Sequence, residues 1–215
     1  MKLSQKTRAI YNDISKDTTK LGDLRKLART IKKDHEMAME LWSTDAFLPR
    51  QLAILIMDKK MLTQALIDKL DKDIQNHTED EQNQLMDWLM ANQLTKDKAT
   101  IALIESWEQS SSVLQRRVFW YYQARLRWMG NTNHSNTEVL LDAIEANMIA
   151  EQPQVQWAMN YTAGQIGKWQ KEHRQRCINI GKSTGLYRDE IVAKGCTPSY
   201  LPEFIKIEVA KLKSQ

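Results

Sequence analysis

Residues 34–57 read DHEMAMELWSTDAFLPRQLAILIM, and this stretch decides the fold. Asp34 and His35 open a helix that carries Met37, Met39, Leu41 and Trp42 at an apolar period close to 3.6. Ser43, Thr44 and Asp45 break it. Pro49 then fits the first turn of a second helix, where its missing N–H costs no hydrogen bond. That helix continues through Leu52, Ile54, Leu55 and Ile56. Two helices joined by so short a turn pack as antiparallel neighbours.

The same period extends in both directions. Upstream, Gly22 and Asp23 open a helix bearing Leu24, Leu27, Ala28 and Ile31. Downstream, the pattern predicts helices over 61–74, 79–94, 96–108, 112–128, 137–150, 154–169, 172–184 and 201–212. Glu79, Asp80 and Glu81 place negative charge at a helix N-terminus, and Thr78 with Glu81 fits a capping box. The clearest loop is 131–136, Asn-Thr-Asn-His-Ser-Asn. Residues 186–202, with Gly195, Pro198 and Pro202, should hold little regular structure.

A weak internal repeat accompanies the helices. Glu40-Leu41-Trp42 precedes Arg50, and Glu105-Ser106-Trp107 precedes Arg116 at nearly the same distance. A third, degenerate copy turns at Ala150-Glu151-Gln152-Pro153. Repeats that drift between about 40 and 65 residues suggest stacked helix pairs. The expected fold is therefore all-α: an α-α superhelix, or solenoid, of HEAT-like antiparallel helix pairs. It should form a single domain over 1–215, with 186–215 as a C-terminal cap; a plain helical bundle is the alternative.

Composition agrees. Among 215 residues there are only 7 Gly and 4 Pro, too few for the turns of a sheet protein, and 42% hydrophobic with 27% charged residues suits a globular chain. The net charge of +4 permits nucleic-acid binding without establishing it. The excess sits toward the C-terminus: between Val113 and Arg188 ten Lys/Arg face five Asp/Glu. Cys177 and Cys196 form neither a CxxC pair nor a disulfide framework. No apolar h-region follows Met1, and Leu52–Met57 is far short of the ~20 residues a membrane helix needs. A cytoplasmic protein, without membrane partners, is expected.

Phosphate-loop, GxSxG and HExxH signatures are absent. His173 and Cys177, four apart, are too few to hold a metal, and no metal is expected. The helix over 79–94 is apolar nearly all round, with Leu85, Trp88, Leu89 and Asn92 on one face and Met86, Met90, Ala91 and Leu94 on the other. Asp87 falls within the second group. Such a carboxylate either reaches a basic partner or solvent, or is held in a cleft for use. The helix over 112–128 interleaves Arg116, Arg117, Arg125 and Arg127 with Trp120, Tyr121, Tyr122 and Trp128. Arginine suits phosphates and aromatic rings suit sugars or bases, although core aromatics with a wet basic rim would read the same way. Lys168, Lys171, His173, Arg174 and Arg176 form a second basic cluster.

Taken in order, residues 33–42, Arg50-Gln51-Leu52-Ala53, Asp87 with Asn92 and Trp107, Arg116, and Gln165-Ile166-Gly167-Lys168 carry a family pattern. From about Asp23 to Lys182 the chain resembles the HEAT-like-repeat DNA alkylation repair enzymes, the AlkD-like alkylpurine DNA glycosylases. The resemblance implies a C-shaped stack of helix pairs around duplex DNA and release of purines alkylated at N3 or N7, without metal or other cofactor. It implies that Asp87 is catalytic, that Tyr161 and Asn83 lie at substrate-binding positions, and that Arg116 faces DNA. Arg117, Arg125, Lys168 and Lys171 join Arg116 as candidate phosphate contacts. Two positions depart from the pattern: Asn83 and Tyr161 stand where the family has Trp. The expected partner is double-stranded DNA carrying alkylated purines, bound by a monomer at the bacterial nucleoid. The rival readings are a non-catalytic protein for distorted or branched DNA, and a protein-binding helical scaffold.

Overall fold

The computed structural model describes residues 3–16, 18–128 and 134–213, and among them it contains twelve α-helices and no β-strand. The chain divides into two compact units, Met1–Ser106 and Trp107–Gln215.

The first unit holds α1 (Gln5–Ile14), α2 (Leu21–Ile31), α3 (His35–Trp42), α4 (Phe47–Ile56), α5 (Gln64–Ile74), α6 (Glu79–Asn92) and α7 (Lys98–Glu105). The α3–α4 pair forms as its sequence dictates. Asp34 caps α3 by accepting the Met37 N–H at 3.0 Å. Leu41, Trp42, Leu52, Ala53, Ile54 and Ile56 are buried to 1% exposure or less, each large side chain contributing roughly 1.5–3 kcal/mol of apolar burial. α4 also packs against α2 and α6.

Helix α1 was not expected. Its sequence is too polar to show a strong apolar stripe, but Ser4 caps it and in turn donates to Glu40 on α3. α5 starts at Gln64 rather than 61, because Lys59–Met61 form a 3-10 turn and Thr63 provides the cap. At α6, Thr78 accepts the Glu81 N–H, whereas the Glu81 carboxylate meets His77 Nδ1 at 2.9 Å. α7 is shorter than 96–108, since Asp97 caps it and Trp107–Gln109 form a separate 3-10 turn.

The second unit holds α8 (Val113–Trp128), α9 (Thr137–Asn147), α10 (Pro153–Trp169), α11 (Arg174–Thr184) and α12 (Leu201–Lys213). α10 is its centre and packs against the other four. Pro153 opens it at the first turn. The Thr162 hydroxyl donates to the Trp120 carbonyl at 2.6 Å and ties α10 to α8. Of the loop expected at 131–136, residues 131–133 lie outside the described residues, and 134–136 are non-helical. Residues 186–200 hold only turns and bends. They lead from Gly185, which ends α11 at φ +65°, to α12.

The seat of α12 is made by missing side chains. A Cβ at Gly164 would lie 2.8 Å from Phe204, one at Gly167 would lie 2.5 Å from Ile205, and one at Gly181 would lie 2.6 Å from Leu201 and Pro202. Glycine lets α10 and α11 approach α12 this closely, most strictly at Gly181, where the Leu201 β-carbon and the Pro202 ring cannot swing aside. Leu201 and Ile205 are buried there.

Candidate functional site

The candidate residues fall in both units. In the first, α6 buries one continuous stripe, Leu85, Met86, Leu89 and Met90. Met86 and Met90 thus belong to the core together with Leu85 and Leu89. Asp87 is not among buried apolar side chains of a second face; it is half-buried beside that stripe, on the line of Asn83 and Ala91. The Asn83 Oδ1 is buried and accepts no hydrogen bond. Trp88 turns away to other work: its indole N–H donates to the Gln51 carbonyl at 3.1 Å, and the Arg25 guanidinium lies 4.9 Å from its ring.

In the second unit an aromatic cluster joins α8, α10 and α12. Trp157 and Tyr161, one turn apart on α10, stack with centroids 5.3 Å apart and planes within 6°. Tyr121 meets both, Trp128 stands edge-on to Tyr161, and Phe204 of α12 does the same at 6.0 Å. Burial pushes the Tyr161 hydroxyl up to about 12, so it stays protonated at neutral pH. Arg117 lies over Tyr121 and Trp157 at 5.6 and 5.4 Å and is only 4% exposed. Arg125 is half-buried against Trp128. The sequence pattern did not single out Trp157, and Phe204 fell within the segment 186–215 expected as a cap. The four-residue spacing of Trp157 and Tyr161 was the available signal.

The other candidate cations are engaged. Arg116 makes a two-pronged contact with Glu151, both bonds 3.0 Å, and donates to the Ser110 carbonyl. Lys168 pairs with Glu208 of α12 at 2.8 Å. Burial alone would raise the Glu208 carboxyl, but hydrogen bonds from Lys168, Lys211 and Thr197 outweigh it and bring the group down to about 2. Arg176 binds Glu138, Asp142 and Glu145, Arg174 caps the carbonyls of Gly167 and Lys168, and His173 faces Glu138. Lys171 is exposed. Cys177 is buried behind Gly167, which raises its thiol to about 12. Among the described residues, no group of three or more His, Cys, Asp or Glu is placed to hold a metal ion, and no helix is long and apolar enough to cross a membrane.

The strongest basic feature was not foreseen. The second unit carries the whole net charge, since the first unit's 17 Lys/Arg balance its 17 Asp/Glu. Yet six of those cations, Arg25, Arg29, Lys32, Lys33, Lys59 and Lys60, line one open cleft of about 510 Å³ in the first unit, with Asp58 as its acidic residue. Asp58 is held by Lys33 at 2.9 Å. The signal lay in the spacing of Arg25, Arg29 and Lys32, which puts all three on one face of α2 and its end. Total charge concealed it, because the compensating carboxylates lie elsewhere in the unit.

Helix pairs throughout, a half-buried carboxylate on α6 and basic and aromatic surfaces define an all-helical protein of the HEAT-like class. A solved structure described as a new family of proteins related to the HEAT-like repeat DNA glycosylases, with affinity for branched DNA structures, matches it with a TM-score of 0.67. That match covers 97% of this chain and 89% of the other at 17% identity, and it establishes the fold. The family model described as DNA alkylation repair enzyme matches residues 15–185, and the chain belongs to that family. No curated protein matches it. The segment from Leu186 through α12 lies beyond the matched region.

Proposed function

We propose that this chain binds duplex DNA and hydrolyses the N-glycosidic bond of purines alkylated at N3 or N7. The observation that carries this reading is Asp87, half-buried beside the core stripe of α6, at the position that the family resemblance makes catalytic. An alkylated purine already bears positive charge and leaves readily. The protein has mainly to stabilise an oxocarbenium-like sugar and to orient water, and one carboxylate serves both ends. Asn83, one turn earlier on the same line, adds an amide oxygen able to accept a hydrogen bond from that water. In the second unit, the ring of Tyr161 supplies an aromatic face, while Arg125 and Lys171 attract the phosphate backbone, and Arg117, only 4% exposed, braces the rings of Tyr121 and Trp157. Arg116 and Lys168 can join them only by exchanging Glu151 and Glu208 for phosphate.

The test is release of free methylated base from a methylated duplex, with wild type and Asp87→Asn side by side. The substitution should slow release by on the order of 10²–10³. Equal rates would remove Asp87 from the chemistry.

A second reading, binding of branched or distorted DNA without bond cleavage, is favoured by Asn83, which offers no aromatic face to a sugar cation. The basic cleft of the first unit and the branched-DNA affinity described for the structural neighbour also fit it. Absence of base release, together with tighter binding of a four-way junction than of a linear duplex, would select it.

A further inference from the structure

The segment beyond the family match builds a pocket. Between α10 and residues 197–204 lies a cavity of about 140 Å³, walled by Trp157, Tyr161, Gly164, Thr197 and Phe204, with Asn160 in its lining. Asn160 is 3% exposed. Its Nδ2 is committed, donating to the Ser199 carbonyl at 2.8 Å, which fixes the amide's orientation. Its Oδ1 is buried and accepts nothing. A buried acceptor without a donor is unfavourable, and a ligand N–H or O–H would relieve it.

The walls and the size narrow the ligand further. Flat aromatic faces favour a planar ring, as base–aromatic stacking does in single-strand binding. A cavity of about 150 Å³ admits benzene, so this one takes a single six-membered ring and not a fused pair. We infer that the pocket receives one pyrimidine base, whose ring N–H or exocyclic amine donates to Asn160 Oδ1 while the ring lies among Trp157, Tyr161 and Phe204. In a duplex those same donors are used in base pairing, so the occupant is an unpaired base. That it comes from DNA rests on the function proposed above; the fit of the ring does not.

The experiment separates the two. Saturable ¹H–¹⁵N NMR shifts of the Asn160 side-chain amide and the Trp157 indole are followed in the full chain with deoxycytidine, thymidine and deoxyadenosine, and duplex binding is measured by anisotropy. The pyrimidine nucleosides should shift both signals and bind at least about tenfold more tightly than deoxyadenosine. Asn160→Leu should abolish that preference. Because it also removes the Ser199 anchor, Trp157→Leu serves as the second variant, leaving the anchor in place and weakening all three ligands. No shift with any nucleoside, equal affinity for the purine, or wild-type binding by both variants overturns the pocket. Pyrimidine binding by a chain that fails to bind DNA supports the pocket and overturns the DNA-binding function instead.

Discussion

Arginine takes two different parts in this molecule, and residue type alone did not separate them. Arg50, 1% exposed, donates to the carbonyl of Trp42 in its own turn and to the carbonyl of Asp73 farther along, and lies over the Trp42 ring. Arg116 repeats the device, binding Ser110 O in its own turn and Glu151 at the next repeat position. The repeat read in the sequence was therefore real, but its basic residue is a staple between turns. Arg127 goes further. It is fully buried, its guanidinium is lowered to about 10 by that burial, and it donates to Gln123 O, Asn136 Oδ1 and Thr137 Oγ1. Arg127→Ala should destabilise the protein by at least about 3 kcal/mol, because buried acceptors are left without a donor; a lower urea midpoint at unchanged m is the readout. At Asn83 the prediction concerns activity. Under the proposed hydrolysis, Asn83→Trp places an aromatic face one turn from Asp87 and should raise base release about tenfold; a rate at or below wild type would show that the buried Asn83 oxygen is the more useful group.

At the scale of the element, helices with a one-sided apolar stripe could be read from periodicity, and those whose partners lie far along the chain could not. α3, α4, α8 and α10 appear within a residue or two of their expected bounds. α1 escaped because its anchor, Glu40, is distant in sequence. The apparent two-faced apolarity of α6 resolved into one stripe, because a core between several neighbours can bury adjacent positions such as Leu85 and Met86 together. α12 was expected as a cap, and its docking depends on Glu208 as well as on glycine. The Glu208 carboxyl is held near 2, below its ordinary 4.5, so its contribution is complete above the ordinary value and is lost as pH falls toward 2. Glu208→Gln should cost about 1–3 kcal/mol at pH 7 and almost nothing at pH 2, read as converging thermal-melting curves. A gap that persists at pH 2 would mean that packing of residue 208, and not its charge, holds the helix.

For the whole molecule, the relevant quantity is where charge collects. A net +4 does not reveal that the first unit, neutral in sum, gathers six cations in one cleft. If that cleft meets DNA, the logarithm of affinity should fall with the logarithm of salt by about 0.9 for each phosphate neutralised. Removing Arg29 and Lys32 together should then lessen the slope by about two, equally for every sequence; an unchanged slope would place DNA elsewhere. The glycines beneath α12 have a bearing on kinship. Since a β-carbon at positions 164, 167 and 181 would lie within 2.5–2.8 Å of the docked helix, these three residues form a tag, two of them around Gln165–Lys168 on α10 and the third on α11. A homologous sequence that keeps all three should end in an extension folded back onto the same helices, whereas one with a larger residue at 181 must carry its terminus elsewhere. Descent of the appendage can thus be traced in genomes from the seat alone, even where the appendage itself has diverged past alignment.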